Sequence, residues 1–229
     1  MKDSQGISVK EELIRHGFLG PTPSSSQRIP ILAHFELHIE QGPILDEASA
    51  PVSAVTGVQA FRWFEIKVAG RGSHAGTTPM SYRHNPLAAF ARMAQAADAI
   101  AIEHGGLATI GRLWSEAPQS TNCILDDVVF HLDLRHHEDA KLEVMENVIR
   151  REFDAIVKST KGARIERFDF LSESKAVTFD PLAVGCVRAA CEGYPSHELI
   201  SGAGHDSCVT PRRMVLTTEF TPLEKSPQR

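Results

Sequence analysis

Cysteine is scarce in this chain, charge is nearly balanced, and long apolar runs are missing. The four cysteines, Cys123, Cys186, Cys191 and Cys208, form no Cys-x-x-Cys pair, which argues against a structural zinc knuckle. They fit a cytosolic chain with unpaired thiols, read as small buried hydrophobes. Cys208 follows His205 by three residues, but no activating partner marks it as a nucleophile. Lys and Arg total 24 against 29 Asp and Glu, a net charge of −5, so nothing calls for nucleic acid or an anionic membrane surface as a partner. No apolar run is long enough to span a bilayer, and the polar start Met1-Lys2-Asp3-Ser4-Gln5-Gly6 lacks a signal-peptide core. A cytoplasmic location is expected. What remains is an ordinary globular composition, 42% hydrophobic and 23% charged over 229 residues, with room for one large domain or two small ones.

The apolar pattern supplies the elements. Residues 9–17 read as a short amphipathic helix carrying Leu13 and Ile14, ended by Gly17 and the run Gly20-Pro21-Thr22-Pro23-Ser24-Ser25-Ser26. The largely apolar Ile31–Ile39 predicts a buried strand. Phe64, Ile66 and Val68 alternate with Glu65 and Lys67, which is strand periodicity. Asn85-Pro86 marks a helix start, with Leu87, Phe90, Met93 or Ala94, Ala97 and Ile100 inward and Gly105-Gly106 as the stop. Strands follow at about 108–114 and 127–135. In the second, Val128, Phe130, Leu132 and Leu134 face one way, and Val129, His131, Asp133 and Arg135 the other. A helix over about 138–158 buries Leu142, Met145, Ile149, Phe153 and Ile156, and a strand at about 163–171 closes the block.

The order β-α-β-β-α-β is the ferredoxin-like arrangement, with both helices on one sheet face and a polar set ending in Arg135 on the other. A helix at about 181–191, with Leu182, Val184 or Gly185, and Ala189 at helical spacing, and a glycine-rich loop at 201–206 complete the chain. The class is α/β: a domain at 58–175 inserted between segments 1–57 and 176–229, which pack together.

Three polar constellations carry chemistry. Glu36-Leu37-His38-Ile39-Glu40-Gln41-Gly42 sets a histidine and a carboxylate on one face of a strand end, before a glycine; satisfied polar residues at a strand end are the plain alternative. Gly70-Arg71-Gly72-Ser73-His74-Ala75-Gly76-Thr77-Thr78-Pro79-Met80 places one histidine among small residues that let backbone approach a ligand. Ser201-Gly202-Ala203-Gly204-His205-Asp206 turns backbone N–H groups toward a ligand and offers His205 to a metal, with Asp206 as its partner or as a helix cap. His136-His137-Glu138-Asp139 is metal-like in composition, yet its place between strand and helix reads better as a solvated helix start.

Together with Asp133-Leu134-Arg135, these motifs closely resemble the hydantoinase/carbamoylase branch of the aminoacylase/carboxypeptidase metallohydrolases, from about Asp3 to His205. The resemblance implies a partial metallohydrolase catalytic domain with an inserted ferredoxin-like lid and dimerisation domain. It implies metal-dependent hydrolysis of the non-peptide C–N bond of a small N-carbamoyl or ureido acid, with two divalent ions, zinc or manganese, activating a water. His38 and His205 match metal ligands, one for each ion. His74 matches the lid histidine that polarises the scissile carbonyl. Gln41 and Gly204 match substrate contacts, and Asn122 and Arg135 match the groups that hold the substrate carboxylate, a role suited to a guanidinium. The inserted domain would make a homodimer in which His74 and Asn122 act in the partner's site.

The chain also departs from the pattern. The family's H-x-D histidine, bridging aspartate and Glu-Glu pair have no counterpart in context before His38; Glu11-Glu12 is a superficial match on an amphipathic helix. After Gly204-His205-Asp206, Pro211 and Met214 fit, but the expected F-V-P-S and G-x-S-H elements do not follow. These departures predict a truncated sequence, inactive alone because a catalytic zinc needs about three protein ligands. The alternative is a non-catalytic fragment that pairs with itself or with a full-length paralogue.

Overall fold

The computed structural model describes residues 2–3, 5–22, 32–210 and, as backbone, 217–222. Two compact units result, Met1–Leu32 and Ala33–Arg229. In the first, α1 (Val9–Arg15) opens with a reciprocal capping box between Ser8 and Glu11, and Glu12 pairs with Arg15 at 2.7 Å. Glu11 and Glu12 therefore do local helix work. None of the residues of α1 is buried, and the helix stops two residues short of the predicted end, before Gly17 at φ 72°.

Along the larger unit run β1 (His34–Leu37), α2 (Ile44–Glu47), β2 (Val52–Val58), β3 (Ala60–Ala69), β4 (Ser73–His74), α3 (Pro86–His104), β5 (Leu107–Trp114), β6 (Cys123–Ile124), β7 (Asp127–His136), α4 (Asp139–Ser159), β8 (Arg164–Ser174), β9 (Val177–Thr178), α5 (Pro181–Ala190), β10 (Ser196–Ser201) and β11 (Thr217–Pro222). A mixed sheet has the order β1-β11-β2-β10, with β9 on the far end of β2. β10 runs parallel to β2, and β11 runs antiparallel to β2 and parallel to β1. Val55 and Val58 pack with Phe179 and Val184, and Ala54 packs with Val187 and Cys191.

The helical spacing proposed for α5 is corrected here. Asp180 caps the helix, so residues 183, 184 and 187 turn toward the sheet and Leu182 is 68% exposed. The buried strand expected at Ile31–Ile39 is also shorter and more open. Among the described residues β1 is an edge strand whose neighbour is β11, and Phe35 and Leu37 are exposed; Ile31 lies outside the described residues.

The second sheet has the order β5-β7-β3-β8 with antiparallel neighbours throughout. Numbered among themselves these strands run 2-3-1-4, and α3 and α4 cover one face, as the β-α-β-β-α-β pattern predicts. Phe64, Ile66, Val68, Phe130, Leu132 and Leu134 meet Phe90, Met93, Leu142, Ile149 and Phe153 in one core. Phe90 lies edge-to-face on Phe130 at 5.0 Å, worth about 0.5–1.5 kcal/mol beyond area burial. Asn85 accepts the Leu87 N–H at the start of α3, and Gly105 ends it in the left-handed region at φ 69°.

Starting at Pro86 turns Ala89 and Phe90 inward and leaves Leu87 half-exposed, against expectation. Val129 was placed on the polar face, yet it is buried; its cross-strand neighbours Lys67 and Trp114 flank it on both sides. All four cysteines are free, and Cys123 and Cys186 are exposed rather than buried. Among the described residues, no helix is long and apolar enough to cross a membrane.

Candidate active site

The polar ends of the two sheets share a cleft of about 820 Å³, a size suited to a small ligand. One wall comes from the ferredoxin-like sheet: Leu107, Thr109, Asp133 and Arg135. The other comes from the turn after β1, Glu40 to Ile44, and from β10 and its glycine loop, Leu199 to Gly204. Three of the four predicted substrate contacts, Gln41, Arg135 and Gly204, therefore line one cavity.

Arg135 is held from two sides. Its Nε donates to Asp133 Oδ1 at 3.0 Å and one terminal nitrogen donates to Asp133 Oδ2 at 2.6 Å, while the other terminal nitrogen donates to the Gly202 carbonyl at 2.7 Å. The guanidinium carbon also sits 5.8 Å from the Phe61 ring centroid. Arg135 thus joins the two walls while remaining about a quarter exposed, so an anion in the cleft can reach it. Glu40 has a different job. Its two oxygens accept the Ile44 and Leu45 N–H groups at 2.9 and 2.8 Å, closing the turn in which Gln41 adopts a left-handed backbone at φ 57°. Few non-glycine residues take that conformation, and here it carries Gln41 to the cleft rim. Glu40 does not share a strand face with His38 as expected, because β1 ends at Leu37.

Beside the cleft the two predicted metal ligands meet: the His38 and His205 rings lie 5.6 Å apart. His38 Nδ1 is 2.6 Å from the Ile39 carbonyl. His205 has a fully buried side chain, with Nδ1 3.3 Å from Glu36 Oε2 and Nε2 3.2 Å from Ser201 Oγ. Glu36 also accepts from the Ser207 hydroxyl and N–H, both at 2.8 Å, and from the Asp206 N–H at 3.3 Å. Burial alone would raise the Glu36 carboxyl; the Ser207 and Asp206 hydrogen bonds and the neighbouring imidazole outweigh it and hold it below the usual carboxylate value. A carboxylate steering an imidazole is the support that a metal-binding histidine normally has.

The donor set suits a divalent ion in kind but reaches two imidazoles where a catalytic zinc needs about three protein ligands. Among the described residues, the His, Cys, Asp and Glu groups that converge as a three-donor set are His136, His137 and Glu138. His136 cannot serve there. Its Nδ1 accepts the Glu138 N–H at 2.8 Å, so its proton is on Nε2, 3.2 Å from the His104 carbonyl. Both ring nitrogens are spent on backbone and the ring is 2% exposed, so His136 is a buried clamp, while His137 and Glu138 are exposed at the start of α4, as expected of a solvated helix start.

His74 and Asn122 come together away from that cavity. β4 pairs with β6 with His74 opposite Cys123, and the Ala75 N–H donates to the Asn122 carbonyl at 2.7 Å. His74 Nδ1 accepts from the Gly76 and Thr77 N–H groups at 3.1 and 3.2 Å, which leaves Nε2 to carry the proton of the neutral ring. Arg83 ties the loop down through the Ala75 and Thr78 carbonyls. Asp126 accepts the Gly72 N–H so closely that a Cβ at Gly72 would meet its carboxyl. Neither His74 nor Asn122 lines the cleft. Glu36, Asp133, Arg83 and Asp126 were not singled out from sequence. The first two lie inside motifs that drew attention to their neighbours; Arg83 lies just beyond the glycine-rich motif whose carbonyls it holds, and Asp126 lies far along the chain from Gly72.

This fold is that of solved amidases of the hydantoinase/carbamoylase family. A solved amidase of that family from Burkholderia multivorans superposes with a TM-score of 0.85 at 37% identity, covering 96% of this chain and 53% of that one. An N-carbamoyl-L-amino-acid amidohydrolase of Rhizobium meliloti is 37% identical over 224 residues, 94% of this chain and 52% of its own length. An allantoate amidohydrolase of Bacillus subtilis is 30% identical over 226 residues, 96% of this chain and 54% of its own length. No family model matches the chain. By sequence and fold the chain is a homologue of these amidohydrolases, and it spans about half the length of those it matches.

Proposed function

We propose that this chain forms the substrate-holding part of a metal-dependent amidohydrolase that cleaves the non-peptide C–N bond of small N-carbamoyl or ureido acids. The observation that carries this reading is the meeting of Gln41, Arg135 and Gly204 in one cleft beside the His38–His205 pair. Arg135 takes the substrate carboxylate on the N–H groups that Asp133 and Gly202 leave over on its two terminal nitrogens. Gln41 and the Gly204 backbone fix the polar remainder. His38 and His205 are the residues to hold divalent metal, zinc or manganese, which when bound activates water for attack. His74, with its proton on Nε2, is a hydrogen-bond donor for the carbonyl oxygen as charge develops there. His74 and Asn122 stand apart from the cleft of their own chain, which supports a homodimer in which residues 58–175, inserted in sequence between 1–57 and 176–229, act as lid and dimerisation domain, and each lid serves the other subunit. With two imidazoles gathered, metal binding by this polypeptide alone is weak and turnover absent.

Carboxylate recognition is tested by titrating the chain with N-carbamoyl-L-alanine and with its carboxamide, which keeps the carbamoyl group and loses the charge. Binding of the acid alone is expected, and equal binding of the amide contradicts the assignment of Arg135. Stoichiometric zinc by elemental analysis together with ammonia release from the acid would overturn the inactivity of the isolated chain.

A further inference from the structure

We infer, resting on the cleft reading above, that the preferred ligand is a carboxylate with a branched or long aliphatic substituent on the carbon next to it, read by Leu107. Arg135 is flanked within its own sheet by two apolar side chains. Leu107 on β5 is its directly opposed partner on one side, and Phe61 on β3 is its partner on the other. Directly opposed residues of antiparallel strands share a face, with Cβ atoms roughly 4.5–5.5 Å apart. Phe61 is engaged with Arg135 and stacks on Trp63 at 4.9 Å. Leu107 is 54% exposed at the start of its strand and lines the cavity.

A carboxylate paired with Arg135 holds its α-carbon within a few ångströms, so a substituent there meets Leu107 first. The facing wall continues the same chemistry: Ile44 and Ile200 line the cleft and are 54% and 48% exposed, and Leu199 lines it too. The cleft's two carboxylates are both engaged within the protein, while Gln41, Gln59 and Thr109 supply its neutral polar groups. Glu40 is committed to the Ile44 and Leu45 N–H groups, and Asp133 to Arg135. Exposed leucine and isoleucine around one guanidinium thus favour N-carbamoyl-leucine or -isoleucine over N-carbamoylglycine, which has no substituent, and over allantoate, whose substituent is polar.

The full chain is titrated calorimetrically with N-carbamoyl-L-leucine, N-carbamoylglycine and allantoate. The leucine derivative is expected to bind about tenfold or more tightly than either of the others, the low end for added methylenes in an apolar pocket. Leu107→Ser should erase most of that preference and leave the glycine derivative's affinity unchanged. Ile200→Ser, on the opposite wall, should weaken the leucine derivative alone, and a thermal melt confirms that each half-exposed substitution leaves folding intact. Equal affinities for the three ligands, or a preference that survives both variants, overturn the inference and leave carboxylate binding standing. Absence of binding by all three overturns the cleft reading and the inference with it.

Discussion

Replacing Arg135 by leucine separates ligand binding from stability, and the geometry sets both magnitudes. The guanidinium donates to Asp133 and to the Gly202 carbonyl, and the N–H groups left on its two terminal nitrogens are assigned to the ligand carboxylate. Losing charge-assisted hydrogen bonds to a ligand costs about 1.5–3 kcal/mol, roughly 10- to 150-fold in affinity. The substitution also strands the Asp133 charge where the anion should sit. At an effective dielectric of about 20, two like charges ~5 Å apart repel by roughly 3 kcal/mol before screening. A loss of N-carbamoyl-L-leucine affinity of at least about 100-fold is therefore expected by calorimetry. Stability should barely move: the two side chains are 28% and 23% exposed, and pairs of that kind contribute about 0–1 kcal/mol, a few degrees in Tm at most. The double variant Arg135→Leu/Asp133→Asn removes the repulsion and should recover part of the lost affinity. Unchanged affinity in the single variant, with an unchanged melt, refutes the placement of the carboxylate on Arg135.

Other consequences are equally direct. Burial, then the neighbouring His137, lowers the His136 pKa, so the folded ring binds its proton more weakly than the unfolded chain does. Its stabilising share is full above the unfolded value of about 6.5 and is lost as pH falls from there through the folded value. Urea titrations from pH 7.5 to 5 should show wild type losing more stability than His136→Asn, whose oxygen can replace the Nδ1 acceptor without titrating; parallel curves would count against the clamp. A Cβ at Gly57 would collide with the Val177 carbonyl oxygen in the β2–β9 pairing, so Gly57→Ala should cost about 1–3 kcal/mol, and an unshifted melt would show that this pairing gives way. Glu116, hydrogen-bonded first by Arg167 and then by Lys67, has its carboxyl pushed down to about 2. Its NMR titration should stay flat down to about pH 3, and a midpoint near 4 would mean that the network is open in solution.

The ferredoxin-like part was legible because local signals and burial agree there. Asn85-Pro86 and Gly105 bound α3 as read, and every residue assigned inward on α4 is buried. The mixed sheet was harder to read. Its strands come from distant parts of the chain, with β2 between β10 and β11, and periodicity says nothing about which strands pair. Leu37 and Ile39 looked like core residues because apolar character was taken as burial, yet both are exposed, Leu37 on the edge strand β1 and Ile39 in the turn beyond it.

The site divides in the same way. His38, His205, Gln41 and Arg135 sit in motifs whose residue types suggest their chemistry. Glu40 and Glu36 have the same residue type within one motif and different work, the first closing a turn and the second steering His205. Only the fold tells them apart. Leu107 carries no sequence signal at all; its importance comes from lying opposite Arg135 in the sheet.

The most direct test of the cleft assignment is amide NMR of the isotopically labelled chain during titration with N-carbamoyl-L-leucine. The account predicts saturable shifts concentrated at Gln41, Gly42, Leu107, Thr109 and Gly202–Gly204, lost in Arg135→Leu. Shifts confined to residues outside the cleft, or identical shifts in Arg135→Leu, would contradict it.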